Sequence, residues 1–323
     1  MTVLEGIELD IQTRNRVNDS IKFNEPLDSV LHVIMVVSNP CSYLRRYALA
    51  RQFILRMEKE EHIQLYTVEL CYAKQPFVLT RKNNPMHLQL RTESPIWHKE
   101  NMVNLGTRML PPDWKAMAWI DADIEFESNT WALDTLKLLN GYADILQLFS
   151  HAVDLDKDEA TMHVANSGGY QYEKQLPYRM GINYWHPGYA WACTRKAFET
   201  MGGLYENAIL GSGDQIMMLS ILGQVEKALN PNNHEAYKKD ALVFQERMKH
   251  IRFSYVPGVI RHYYHGTKAN RRYRERWQIL VDHQYSPEQH LKKKNGLLVP
   301  SETCPPKLLE DILQYFKDRN EDD

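Results

Sequence analysis

The chain lacks any stretch that could cross a membrane. Its longest hydrophobic runs, such as Val30–Val37, fall far short of the ~20 apolar residues a spanning helix needs. The opening residues, MTVLEGIELDIQTRNR, are too polar for a secretory signal. No CxxC pair occurs. The four cysteines (Cys41, Cys71, Cys193 and Cys304) lie so far apart that neither a zinc knot nor a disulfide framework is suggested. These absences lead us to expect a reducing, cytoplasmic setting with no integral membrane segment. An excess of positive charge is also missing. The 39 Lys and Arg residues are offset by 41 Asp and Glu for a net charge of −2, and the basic residues are scattered, so nucleic acid is not an expected partner. Internal repeats and low-complexity segments are absent.

What is present fits a soluble globular protein. The 323 residues are 43% hydrophobic and 25% charged, enough to bury a substantial core. Residues 1–29 are polar, have no clear period and are expected to form an arm. The run LHVIMVV (31–37) predicts a buried strand, followed by an SNPCS turn and a helix from about Tyr43 to Glu61. LYTVEL (65–70) and HLQLRT (87–92) predict further strands. A helix is expected over Lys99–Met109, stopped by Pro111-Pro112. The strand MAWI (117–120), a helix over Trp131–Leu139 and the strand DILQLF (144–149) follow. This alternation predicts a mainly parallel α/β sheet with helices on both faces. The second half changes character. SGGYQYEKQLPYRMGINYWHPGYAW is rich in glycine, aromatics and turn residues, and suits a pocket wall or a mobile lid over Ser167–Pro187. The expected organisation is an arm (1–29), a main domain (30–280, in halves 30–150 and 151–280) and a helical tail (281–323).

Three motifs carry chemistry. In AWIDADIEF, Asp121 and Asp123 sit just past a predicted strand, the edge of an open α/β sheet where ligands bind. Alternation puts both carboxylates on one side, where they could hold Mg2+ or Mn2+ or simply form a turn. In Gly211-Ser212-Gly213-Asp214 a carboxylate stands at a predicted helix start behind flexible backbone. It could be a helix cap or a general base toward a hydroxyl. In VIRHYYHG, His262 and His265 lie where a strand passes into a loop. Their spacing of three in an extended chain puts them on opposite faces, so both need not bind one ion. The KANRRYRER stretch that follows offers Lys268, Arg271 and Arg272 to a diphosphate, or is a solvated face.

The order of these motifs resembles the metal-dependent glycosyltransferases of the GT-A fold, nearest to the inverting β-1,4-galactosyltransferase-like group and its viral and bacterial counterparts. The resemblance spans roughly residues 30–280. It rests on HKENMVNLGTRMLP, AWIDADIEF, YAWACTRKAFETMGGLYENAILGSGDQIM and VIRHYYHG. It implies an α/β GT-A fold, with a nucleotide-binding sheet over 30–150 and a mixed acceptor-side half over 151–280. It further implies that Asp123 binds Mn2+ or Mg2+ directly, and that Asp121 contacts the ribose or the metal through water. His262 is then the better match to the family's ligand, His265 its competitor and Asp214 the base. Where the family has Trp-Gly-x-Glu-Asp this chain has Leu-Gly-Ser-Gly-Asp, so the Trp and the Glu are both missing. The implied partners are a nucleotide-sugar donor, UDP-linked in the simplest case, and a glycan or glycoconjugate acceptor. Ser38 and Asn39 would face the nucleoside, with Lys99 and Lys268 also on the donor side. Trp185, Tyr189 and Trp191, with Tyr184, could stack on sugar rings. Two other readings remain open. A sugar-nucleotide nucleotidyltransferase would want a glycine-rich basic loop after the first strand, which SNPCSYLRR does not supply. A non-catalytic sugar-binding protein of the same fold would release no nucleotide.

Overall fold

The computed structural model describes residues 2–4, 7–9, 11–178, 185–272 and 275–323, the side chains of residues 1–15 excepted. Seven strands form the main sheet. Across it run Phe253–Tyr255, Ile145–Gln147, Ala190–Thr194, Ala116–Ile120, Leu31–Ser38, Ile63–Tyr72 and His87–Thr92. All neighbours are parallel except that Ala190–Thr194 runs antiparallel to both of its own. A second, mixed sheet joins Trp185–His186, Thr161–Ser167, His151–Leu155, Val259–His262 and Ile124–Phe126. The fold is therefore α/β, with a mostly parallel sheet between helices and a mixed second half, as the sequence predicts.

Strand alternation builds a core on each face of the main sheet. In Leu31–Ser38, the side chains of Leu31, Val33, Met35 and Val37 join one cluster and Ile34 the other. In Ala116–Ile120, Ala116, Ala118 and Ile120 face the first cluster while Met117 and Trp119 face the second. Helices Leu44–Met57 and Trp131–Leu139 cover the first cluster. Helices Lys99–Gly106, Gly213–Ile221, Glu235–Met248 and Pro306–Asp318 cover the second. The helix at Lys99–Gly106 comes close to the sheet because its last residue has no side chain. A Cβ on Gly106 would stand 2.9 Å from Ile34 Cγ2 and 3.0 Å from Val68 Cγ2.

Topology brings the motifs together. Leu31–Ser38 and Ala116–Ile120 are parallel, so Ser38 and Asp121 leave the sheet at the same edge. Ala190–Thr194 runs the other way, so the loop that precedes it, His186–Tyr189, starts at that edge too. The amide of Asp121 donates to the Tyr189 carbonyl at 2.8 Å, tying the two loops.

Three expectations change. The stretch read as an arm contains a helix, Ile11–Phe23, in which Val17 is buried and Ile21 packs beside it. Lys137 also donates to the Ile21 carbonyl at 3.0 Å, so the helix rests on Trp131–Leu139. The first part of the expected lid is not free. Ser167 Oγ accepts from Tyr170 N at 3.0 Å and caps the helix Gly168–Glu173. A Cβ on Gly169 would stand 2.4 Å from the Ser254 carbonyl oxygen, so this helix is pressed onto the Phe253–Tyr255 strand. Tyr184 lies outside the described residues. Finally, Trp191 is corrected from acceptor contact to core. It is fully buried, stacked at 5.3 Å on Phe253 and parallel to its cross-strand partner Trp119 at 6.3 Å, and its indole N–H donates to the Pro187 carbonyl. Aromatic enrichment alone could not separate it from the cavity-facing rings two to six residues earlier.

Trp191→Ala should lower the unfolding free energy by about 3–5 kcal/mol in urea titration, as for other large-to-small changes of buried aromatics. A loss below about 1 kcal/mol would contradict its place in the core.

Candidate functional site

One cavity of about 480 Å³ opens at this sheet edge. Its wall includes Ser38, Asn39, Lys99, Asp121, Asp123, Trp185, Tyr189, Asp214, His262, His265 and Lys268. Of the described residues singled out in the sequence, Trp191 and Arg272 lie elsewhere.

At one end the Asp-x-Asp turn and the histidine segment meet. The strand Val259–His262 pairs with Ile124–Phe126, and the Tyr263 amide donates to the Asp123 carbonyl at 2.8 Å. The strand ends at His262, so residues 263–265 turn and His265 comes back to the same point. The opposite-face expectation for an extended chain does not apply here. His265 Nε2 lies 2.9 Å and His262 Nε2 3.8 Å from Asp123 Oδ2, and the two Nε2 atoms are 3.2 Å apart. The ligand atoms of all three residues fall within 4.8 Å of one another.

A residue the sequence did not point to fixes His262. Asp154 is its cross-strand partner and 1% exposed. Its Oδ1 accepts from His262 Nδ1 at 2.8 Å and from the Tyr189 hydroxyl at 2.6 Å, while Oδ2 pairs with Lys268. The proton on Nδ1 is thereby committed, and Nε2 turns its lone pair toward Asp123. No hydrogen-bond signature in HAVDLDKD announces this, since an aspartate in a strand is most often read as a surface residue.

The cluster fits a divalent cation on its own chemistry. Among the described residues, Asp123 Oδ1 is a buried oxygen with no hydrogen-bond partner. Beside it stand a second carboxylate oxygen and the Nε2 atoms of two imidazoles, a donor set that suits a divalent cation. Burial works against charge on Asp123, yet His265 and His262 override it and hold its carboxyl well below the usual range. Burial is likewise outweighed at Asp154 by its bonds to His262, Lys268 and Tyr189, so that carboxyl is also held low.

Across the cavity a second group of charges forms where two helices begin. Lys99 is the first residue of Lys99–Gly106, and Asp214 lies in the first turn of Gly213–Ile221. The Lys99 ammonium is 2.6 Å from Asp121 Oδ1 and 3.0 Å from Asp214 Oδ2. Asp214 therefore does not cap its helix. The N-cap is Ser212, which makes no capping bond and instead accepts from Arg276 at 2.6 Å and Trp277 at 3.2 Å. The two aspartates of the Asp-x-Asp turn consequently serve different partners: Asp123 the histidines, Asp121 the lysine. Burial pushes the Asp121 carboxyl up to about 6, with Lys99 opposing and the charges of Asp123 and Asp214 adding. Gly213 has a specific reason to lack a side chain. A Cβ there would stand 2.2 Å from Glu100 Oε1. The group approaching this glycine is thus a buried glutamate of the protein itself. Burial, reinforced by Asp214, pushes the Glu100 carboxyl up to about 8.

The remaining residues have mixed placements. Ser38 Oγ bonds the Tyr72 hydroxyl at 2.6 Å. Asn39 closes its own loop, donating to the Tyr43 carbonyl at 2.8 Å and accepting from the Tyr43 amide at 3.0 Å. Tyr189 stacks on His186 with ring centres 3.9 Å apart, and Trp185 packs edge-on against Tyr178. Burial lowers the His186 imidazole to about 3, so its ring is neutral.

No family model matches the chain, and no curated protein matches it by sequence. Solved structures with a similar fold include the catalytic domain of Drosophila beta1,4galactosyltransferase 7 in complex with xylobiose, at 11% identity over 61% of this chain, with a TM-score of 0.32. This chain spans 62% of the length of that Drosophila structure. The mannosyltransferase PcManGT from Pyrobaculum calidifontis, solved with GDP-Man and Mn2+, matches at 11% identity over 94% of this chain and 78% of its own, with a TM-score of 0.40. The 4-diphosphocytidyl-2C-methyl-D-erythritolsynthase from Anaerococcus prevotii matches at 8% identity over 72% of this chain and 90% of its own, with a TM-score of 0.30. Likenesses this distant say nothing about chemistry, which the side chains of this chain have to supply.

The raised Glu100 carboxyl has a consequence for stability. The folded chain keeps a proton that the unfolded chain releases once the pH passes the ordinary value of 4.5, so stability falls as the pH rises from there through about 8. Thermal melts of wild type and Glu100→Gln should nearly coincide at about pH 5. The variant should gain on wild type toward about pH 8. Parallel curves would place Glu100 outside this account.

Proposed function

We propose that the chain is a divalent-cation-dependent glycosyltransferase. It would move a sugar from a nucleotide diphosphate sugar, UDP-linked in the simplest case, to a hydroxyl of a glycan or glycoconjugate. The observation that carries this reading is that two differently built carboxylate groups face one cavity at the ligand-binding edge of an α/β sheet: Asp123 with His262 and His265, and Asp214 with Lys99. A cation cluster alone would suit many reactions. A separate carboxylate across the same cavity supplies the general base that a hydroxyl acceptor requires.

In this reading Asp123, His262 and His265 hold Mn2+ or Mg2+, and two imidazoles in the donor set favour Mn2+. An ion bound there offsets charge that builds on a leaving diphosphate. Ser38 and Asn39, at the end of the first strand of the main sheet, face the nucleoside. Lys268, held beside the cluster by Asp154, meets phosphate oxygens as a second positive charge. Asp214 takes the proton of the attacking hydroxyl, which approaches opposite the departing group, so the sugar's configuration inverts. Lys99 anchors the Asp214 carboxylate toward the cavity and keeps Asp121 alongside it. Trp185 and Tyr189 offer ring surface to the sugars. Rate enhancement would then come chiefly from positioning and fixed charge.

A panel of nucleotide sugars, each with Mn2+ or with EDTA, tests the reading by nucleotide release and thermal shift. Asp123→Asn should abolish the Mn2+-dependent release while the far-UV spectrum stays native. Release that is the same in EDTA and in this variant would sink the cation-dependent transferase. Asp214→Asn should retain the donor-induced thermal shift and lose about a hundredfold to ten-thousandfold in transfer, the usual contribution of a positioned base. Transfer at the wild-type rate would move the base to another residue.

A further inference from the structure

The end of the chain returns to the cation cluster. Helix Pro306–Asp318 places Phe316 in the cavity wall, and residues 319–322 then cross the turn that follows His262. The fit is close. Gly266 has φ +84°, and a Cβ there would stand 2.9 Å from the Asn320 carbonyl oxygen and 3.0 Å from Glu321 Cα. Two anchors hold this segment. Asp322 accepts from the amides of Leu44 at 3.0 Å and Arg45 at 2.8 Å, at the start of helix Leu44–Met57. The Tyr43 hydroxyl donates to the Phe316 and Lys317 carbonyls, both at 2.9 Å.

Between these anchors Glu321 is 1% exposed. Its carboxylate takes a two-point contact from Arg46, through Nε and, at 2.7 Å, through Nη2. Arg319 Nη2 adds a third contact at 2.7 Å. Glu321 Oε2 also lies 3.8 Å from His265 Nδ1, an electrostatic contact rather than a hydrogen bond. The placement repeats that of Asp154 behind His262 Nδ1. Each imidazole thus has a buried carboxylate on its Nδ1 side and directs Nε2 toward Asp123. Arg271 Nη2 stands 2.6 Å from His265 Nε2 and 3.1 Å from Nδ1, and an Nδ1–H tautomer leaves Nε2 to accept from it.

We propose that Glu321 is a positioning residue for His265: its charge keeps the proton on Nδ1, so that Nε2 offers its lone pair to the point where Asp123 and His262 also converge. The C-terminal segment is then a working part of the cation site. The inference rests on the reading of Asp123, His262 and His265 as that site. It uses the general rule that a carboxylate behind a ligating imidazole sets its tautomer and its basicity.

Two measurements on the full chain separate the inference from the reading beneath it. The first is the 15N imidazole spectrum of histidine-labelled, metal-free protein. Wild type should show His265 as the Nδ1–H tautomer, Glu321→Gln should shift it toward Nε2–H, and Glu321→Asp should restore most of the wild-type signal. The second is the affinity for Co2+ and its visible absorption. Glu321→Gln should weaken binding by about tenfold to a hundredfold, the range for such supporting partners, with recovery in Glu321→Asp. An unchanged His265 tautomer in Glu321→Gln, or Co2+ bound by it as by wild type, would overturn the proposal. If Asp123→Asn binds Co2+ as tightly as wild type, the cation reading itself fails, and the metal-free tautomer still decides whether Glu321 orients His265. Should Glu321→Gln not fold, the wild-type 15N spectrum still decides: an Nε2–H tautomer at His265 would overturn the proposal.

Discussion

Buried carboxylates need positive or hydrogen-bonding partners, and this single requirement organises the site. Asp154 and Glu321 are each 1% exposed. Asp154 is met by Lys268, His262 and Tyr189, and Glu321 by Arg46 and Arg319. A buried carboxylate stripped of its partners is an uncompensated charge, at about 3–5 kcal/mol. Burial outweighed by these partners holds both carboxyls low. The partners come from segments remote in sequence: the loop and helix after the first strand of the main sheet, the second sheet, the stretch after His262 and the end of the chain. Pairing of charge thus acts as a long-range specification of the fold, fixing which loops meet at the sheet edge. Among the described residues it also leaves Asp123 with a buried oxygen that has no hydrogen-bond partner.

The same logic separates the two aspartates of the opening motif. They are one residue apart and both reach the cavity, but Lys99 claims Asp121 while the imidazoles face Asp123. Burial pushes Asp121 up against the opposing pull of Lys99, whereas at Asp123 the imidazoles overcome burial and hold it low. Two chemically identical side chains therefore lose their protons at different pH, according to what surrounds each one.

Much of this was legible in the chain. Periodicity located the parallel strands and the helices between them, because a strand buried on both faces reads as an unbroken β-branched run. The Asp-x-Asp turn, Asp214 and the histidines were visible because such residue types are costly near a core. What was not legible depends on contacts made in three dimensions. Asp154 lies in an ordinary strand and acquires its role only through its register with His262. Glu321 is the third residue from the end of a charged tail, and nothing local marks it. Glu100 and Gly213 are more than a hundred residues apart, yet the missing side chain of one makes room for the other. The convergence of His262 and His265 required knowing that the strand stops at the first of them. Trp191 was misplaced for the converse reason: its neighbours in sequence line the cavity, while antiparallel pairing with Trp119 turns it into the core.

Two of the eleven non-glycine residues with positive φ among the described residues line the cavity. Tyr189 has φ +80° and Ser212 has φ +74°, a region that bulky residues seldom occupy. Each such residue costs on the order of 1–3 kcal/mol and persists only where its surroundings over-determine it. Both line the cavity, and both are held by several contacts. The Tyr189 carbonyl accepts from Asp121, its hydroxyl donates to Asp154 and its ring lies on His186. Ser212 is gripped by Arg276 and Trp277. Relaxing Tyr189 would move the loop that ties Asp121 to the group of Asp123, His262 and His265. Relaxing Ser212 would turn the first turn of the Asp214 helix away from Lys99. The two strained residues thus sit at the joints that set the distance between the two charge groups, which is the distance a donor and an acceptor would have to share.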